Sequence, residues 1–179
     1  MSERNADLRA LVRTIPDHPK PGILFRDITT LLLDPAGFAA TIDRMAEAVA
    51  GPFDLIAGIE ARGFLFAAAL APRLSAGVLL IRKRNKLPGT VIGVNYALEY
   101  GEDRVEMHAD ACAPGARVLL VDDLIATGGT AIAGAELIRR AGGVVAQAAF
   151  AIDLPDLGGA DRLRAAGVEP VTLMAFAGH

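Results

Sequence analysis

Residues 116–143, ARVLLVDDLIATGGTAIAGAELIRRAGG, decide the fold. Four aliphatic residues, Val118 to Val121, run into two adjacent acids, Asp122 and Asp123. A small-residue turn comes next, Ala126-Thr127-Gly128-Gly129-Thr130, and then apolar residues recur at helical spacing as far as Ile138. The order is strand, turn, helix. The unbroken apolar run predicts a strand buried on both faces, with the acid pair at its end. Gly128 and Gly129 let backbone N–H groups turn toward an anion. Thr127 and Thr130 add hydroxyl donors, and the helix N-terminus adds a partial positive charge. A monophosphate suits such a turn. Two neighbouring carboxylates beside it need something polar or cationic between them, and a ribose diol meets that need. No lysine follows the glycines, which sets the turn apart from that of a nucleoside triphosphatase.

Outward from this stretch the alternation repeats. Leu55-Ile56-Ala57, Val78 to Ile81 and Val144 to Ile152 read as further strands, and Ala-rich segments at 37–46, 62–74 and 129–141 read as helices. The expected fold is α/β, a mostly parallel central sheet flanked by helices, with ligands collecting beyond the carboxyl ends of the strands. RKRNKLPGTVIGVNYALEYGEDR (82–104) breaks the pattern with four basic residues, a Pro-Gly turn and an alternating stretch. It predicts a flexible hood over about 82–106, a loop and hairpin projecting from the sheet. The amino-terminal stretch, with Pro16, Pro19, Pro21 and Gly22, predicts a short helix and then an irregular arm.

Composition narrows the class. With 179 residues, 53% hydrophobic and 22% charged, and no repeat or low-complexity linker, the expectation is one domain spanning 1–179. The longest apolar run, Phe64 to Ala71, lies between Arg62 and Arg73 and falls short of the ~20 residues a membrane span needs. Glu3, Arg4, Asp7 and Arg9 leave no apolar leader, and the single cysteine, Cys112, forms no internal disulfide. A cytoplasmic protein without a membrane partner is expected. A net charge of -3 argues against nucleic acid as a partner. His108 and Cys112 find no further His or Cys at metal-ligand spacing and read as structural.

The 118–130 stretch resembles the phosphoribosyl diphosphate motif of the type I phosphoribosyltransferases, in which four hydrophobic residues precede two acids and a small-Thr-Gly-Gly-Thr loop. The likeness runs over nearly the whole chain and is most specific for the adenine-using members. PKPGILFRDIT (19–29), GIEARGFLF (58–66), IRKRNKLPG (81–89) and ALEYG (97–101) stand in that group's order and spacing. The resemblance implies transfer of a phosphoribosyl group from phosphoribosyl diphosphate to adenine, giving AMP and diphosphate. It implies that Asp122 and Asp123 bind the ribose hydroxyls and stabilise an oxocarbenium-like transition state, and that Ala126, Thr127, Gly128, Gly129 and Thr130 hold the 5′-phosphate. Arg62 would contact the leaving diphosphate together with Mg²⁺ that arrives on the substrate. Arg82, Lys83 and Lys86 would add diphosphate contacts from a segment that reaches a neighbouring subunit in a homodimer. Leu24, Phe25 and Arg26 would receive adenine through backbone groups and the Phe25 face, Leu154 would lie on its other face, and Glu99 would exchange a proton with the purine.

Without the resemblance, Phe25 and Leu154 read as core, Glu99 as a strand-end acid and the basic cluster as a solvated loop. Some members carry Asp-Ser where this chain has Glu60-Ala61, so a hydroxyl is missing at Ala61, and Asn85 stands where glycine is common. His18, between Pro16 and Pro19, receives no role. Enzymes for hypoxanthine and guanine use a lysine beyond the phosphate loop to recognise the 6-oxo group, and here no lysine follows Lys86. Two alternatives stay open: a phosphoribosyltransferase for another base, such as xanthine or a pyrimidine, and a non-catalytic phosphoribosyl-diphosphate sensor. Such sensors usually carry a DNA-binding extension, and the arm before the core is too short for a winged helix.

Overall fold

The computed structural model describes residues 5–97 and 101–178. The amino-terminal arm holds α1 (Ala6–Ala10), β1 (Arg13–Pro16) and β2 (Leu24–Asp27), followed by α2 (Thr29–Leu33) and α3 (Pro35–Ala48). Then come β3 (Leu55–Ile59), α4 (Gly63–Arg73), β4 (Gly77–Lys83), β5 (Val91–Ala97), β6 (Glu102–His108) and β7 (Arg117–Ile125). The chain finishes with α5 (Gly129–Arg140), β8 (Val144–Asp153), a 3-10 turn, α6 (Gly159–Ala165) and β9 (Glu169–Ala175).

Seven strands form one sheet in the order β5-β6-β4-β3-β7-β8-β9. The run β4-β3-β7-β8-β9 is parallel, and the β5–β6 hairpin adds on antiparallel at one edge. The expected mostly parallel sheet is present. The continuous apolar runs have the expected cause: along β7, Val118 and Leu120 enter the core layer with α5, while Leu119 and Val121 enter the layer with α1 to α4. Alternate residues of one strand thus fill two cores. Local signals set the helix starts, as where the Asp34 side chain accepts from the Gly37 N–H at 2.6 Å and Pro35 opens α3.

Three expectations need correction. The arm is not irregular after its helix, because β1 and β2 pair antiparallel from Arg13↔Asp27 to Pro16↔Leu24. Arg13 Nε donates to Asp27 Oδ2 at 3.0 Å, and that bond, with those from Thr29, holds the Asp27 carboxyl at about 2. The 82–106 hairpin does not simply project from the sheet. It extends the sheet through Arg82↔Glu106 and Lys83↔Val105, and Val94, Val105 and Met107 are buried against α5. The acid pair, finally, does not end its strand, since β7 runs on to Ile125. Among the described residues no helix is long and apolar enough to cross a membrane.

Candidate active site

The carboxyl ends of β3, β4, β7 and β8 all point to one end of the sheet, where loops follow each strand. There a cavity of about 160 Å³ is lined by Arg62, Asp122, Asp123, Ala126, Thr127, Gly128, Gly129 and Thr130, together with Leu124, Ile125, Ala131 and Phe150. One segment, from the end of β7 through the turn into α5, provides most of the wall, and Arg62 stands at the N-cap of α4.

Gly128 carries φ +80°, the left-handed conformation that lets β7 turn directly into α5. Among the described residues, the backbone N–H groups from Ala126 to Thr130 enter no turn or side-chain hydrogen bond. They stand as free donors around an anion-sized space, backed by the positive end of a 12-residue helix. Gly128 is pressed against α6: a Cβ on it would come within 2.8 Å of the Gly159 carbonyl oxygen. A Cβ on Gly159 would in turn collide with the Ala126 oxygen and sit 2.7 Å from the Gly128 nitrogen.

The acids differ in surroundings. Asp123 is 3% exposed and its Oδ2 accepts from Arg62 Nε at 2.5 Å. Asp122 Oδ1 accepts from the Asp123 N–H at 2.9 Å. Burial, reinforced by the Asp123 carboxylate, pushes the Asp122 carboxyl well above the usual carboxylate range, with Arg62 pulling the other way. Gly63 makes this approach possible, since a Cβ there would lie 2.7 Å from the Val121 oxygen.

The basic segment is engaged locally. Arg82 Nε donates to Glu60 Oε2 at 3.0 Å, the Lys83 N–H donates to the same oxygen at 2.8 Å, and the Arg82 pairing holds Glu60 below its ordinary range. Lys83 Nζ donates to Asp103 Oδ2 at 2.5 Å and to the Tyr96 hydroxyl. Burial disfavours the Lys83 ammonium, but Asp103 and Tyr96 outweigh it and raise its pKa above the ordinary lysine value. Lys86 is exposed. Asn85 takes φ +61°, a conformation asparagine tolerates better than most residues, so it fits a position where glycine is common. Tyr96 and Ala97 reach over the phosphate-sized turn, within 3.7 Å of a Cβ built on Gly129.

Beside Arg62 lies the arm. The Arg62 guanidinium stands 6.0 Å from the Phe25 ring centre, and His18 meets that ring edge-on at 5.1 Å. Among the described residues β2 has one hydrogen-bonded neighbour strand, β1, and its other backbone edge pairs with none. The Arg26 guanidinium turns away into the protein, donating to Thr14 Oγ1 at 2.6 Å and to the Ala177 oxygen at 2.7 Å. Leu154 is buried in the core layer with Met174 and Phe176. Glu99 lies outside the described residues.

Of the residues singled out from sequence, the structure gathers Arg62, Asp122, Asp123 and 126–130 around one cavity. Phe25 stands at its edge, and Arg82 and Lys83 lie on the adjoining strand. Phe150, Gly159, Arg162, Tyr96 and Asp103 carry no signal in a motif reading. Only the paired glycines 158 and 159 flag a second tight turn, and nothing in the sequence ties it to Gly128.

The phosphoribosyl transferase domain family matches residues 29–166. The adenine phosphoribosyltransferase of Azorhizobium caulinodans is 57% identical over 174 residues, covering 97% of each chain. The crystal structure of the Thermoanaerobacter pseudethanolicus adenine phosphoribosyltransferase superposes with a TM-score of 0.90 at 45% identity, covering 96% of this chain and 99% of that one. The Saccharomyces cerevisiae enzyme, in complex with an imino-altritol bisphosphate and adenine, superposes at 0.86 with 35% identity, over 93% and 96% of the two chains.

Proposed function

The chain belongs to the phosphoribosyl transferase family, and we propose that the cavity between Arg62 and the 126–130 turn is where its substrate sits. The protein is an enzyme of purine salvage: it transfers the 5-phosphoribosyl group of phosphoribosyl diphosphate to adenine, giving AMP and diphosphate. The observation that carries the assignment to this cavity is the pairing of free backbone donors at 126–130 with two carboxyl groups on the last residues of β7, lining the same cavity.

The chemistry follows from charge. Cleaving the anomeric bond leaves positive charge on the ribose, and fixed negative charge already in place costs no reorganisation when that happens. Asp123, paired with Arg62, supplies that charge, and the Asp122 carboxyl beside it joins it in accepting from the ribose hydroxyls. The N–H groups and hydroxyls of Ala126, Thr127, Gly128, Gly129 and Thr130 hold the 5′-phosphate. Arg62, Arg82, Lys83 and Lys86 meet the diphosphate. Adenine lies on Phe25, its edge read by the open backbone of Leu24 to Arg26 and its far side limited by Leu154. Glu99 exchanges the purine proton. Mg²⁺, which keeps much of its water, would arrive with the substrate and neutralise diphosphate oxygens beside Arg62.

We read residues 1–179 as one domain, with a base arm over about 1–30 and a hood over about 82–106, working in the cytoplasm as a homodimer. For the dimer, Leu32, Phe38, Phe64, Leu65, Ala68 and Ala69 line an apolar groove of about 650 Å³, and Leu33 nearby is 81% exposed. Such a face is what a second copy covers.

The test is purified protein with phosphoribosyl diphosphate and Mg²⁺, offered adenine, hypoxanthine, guanine, xanthine or orotate separately. AMP as the single nucleotide formed is the expected result. Another nucleotide would reassign the base arm. Saturable binding of phosphoribosyl diphosphate with no product would make the chain a sensor.

A further inference from the structure

We propose that Arg162, on α6 and outside the cavity, is a positioning residue that aims the phosphate loop. Its Nη1 donates to the Thr127 carbonyl oxygen at 2.8 Å. In a trans peptide the carbonyl and the following N–H point in opposite directions. A guanidinium fixed on the Thr127 oxygen therefore turns the Gly128 N–H away from α6. The cavity is on that far side, lined by Thr127 and Gly128 and not by Arg162. The same contact puts a positive charge behind the peptide, polarising it so that its N–H becomes a stronger donor.

The helix that carries Arg162 has no freedom to drift. Gly159, its first residue, is in backbone contact with Ala126 and Gly128, so tightly that no side chain fits. Arg162 stands at i+3 from Gly159, on the same face one turn on. The two contacts grip one peptide plane from behind. Among the described residues Thr127 O is the one acceptor that the Arg162 side chain meets. It is an exposed arginine with a backbone target, which a surface charge has no need of.

This rests on the reading of 126–130 as the holder of the 5′-phosphate. That phosphate is bound equally in substrate, transition state and AMP, so weakening its seat raises KM and leaves kcat nearly unchanged. Arg162→Ala should raise the KM for phosphoribosyl diphosphate about 5- to 20-fold, a partial loss of one hydrogen bond to a charged group, since the Gly128 N–H is misaimed and not removed. The KM for adenine and kcat should stay within about twofold. AMP should bind more weakly by a similar factor and adenosine should not. Arg162→Lys, which keeps a charged donor, should recover much of the loss. Thr130→Ala, which removes a hydroxyl from the loop itself, serves as the reference. If it raises the KM for phosphoribosyl diphosphate and Arg162→Ala does not, the aiming role is wrong and the phosphate loop stands. If neither changes it, the loop reading fails and takes the proposal with it. Equal rises in both KM values, or equal weakening of AMP and adenosine, would show Arg162 to be merely structural and would also overturn it.

Discussion

Arg62 Nε and Asp123 Oδ2 meet at 2.5 Å across 61 residues of sequence, tying the N-cap of α4 to the end of β7. The carboxylate is almost fully buried and the arginine is half exposed, with 45% of its side chain in solvent. The pair therefore has one end in the core and one in the cleft. Arg62 thus meets the acid behind it and lines the cavity in front.

Removing one partner leaves the other uncompensated. Arg62→Ala should lower kcat/KM by about 100-fold and, because the arginine is half in water, reduce stability by only ~1–2 kcal/mol. Asp123→Asn should cut kcat by a similar factor with a smaller loss of stability. Steady-state kinetics and thermal melts of the two variants check both statements, and wild-type rates in either would remove the pair from the site.

Asp122 gives a dependence on pH of the opposite sign to most carboxylates. Its pKa is raised by folding, so the folded chain holds a proton that the unfolded chain has released. Its contribution to stability is complete below the usual carboxylate range and is lost as pH rises toward its own raised value. Asp122→Asn should therefore be more stable than the parent near neutrality, by on the order of 1 kcal/mol or more, with the difference vanishing in acid. Denaturant titrations from acid to neutral pH measure it.

Lys83 is held by Asp103 at 2.5 Å and by Tyr96, partners that compete with any diphosphate for the same ammonium. Freed by Asp103→Ala, Lys83 should bind the diphosphate more readily and lower the KM for phosphoribosyl diphosphate by about two- to fivefold. An unchanged or higher KM would show instead that the network holds the lysine in its working position.

The exposed Leu33 and the groove around Leu65 should be covered in solution. Sedimentation equilibrium should give twice the chain mass, and Leu65→Glu should shift the population toward monomer. A monomer at micromolar concentration in the parent would leave the apolar face unexplained.

The parts legible in sequence are those that depend on neighbours along the chain. The apolar runs at 118–121 and 144–152 announce strands buried on both faces, and 126–130 announces its turn, because glycine and threonine act on their own backbone. The arm escapes such a reading. Pairing of Arg13 to Pro16 with Leu24 to Asp27 joins two four-residue segments, RTIP and LFRD, that carry no alternating pattern. The hairpin is legible, but its attachment to β4 through Arg82 and Lys83 depends on Val105 and Glu106, which lie beyond the turn. β9 is hidden, since Glu169-Pro170 looks like a loop and only pairing with β8 makes the segment an edge strand. Arg62 is found through its motif, whereas Arg162 is invisible: an arginine in a polar helix acquires meaning only from the carbonyl it meets.

Gly128 and Gly159 stand back to back with no room for a side chain on either. They occupy separate turns, one before α5 and one at the start of α6, yet variation at one cannot be accommodated while the other keeps its place. The two turns form a single heritable unit. Enlarging the anion-sized space beside Gly128 thus calls for resetting the start of α6; lengthening the loop alone would drive it into the helix behind.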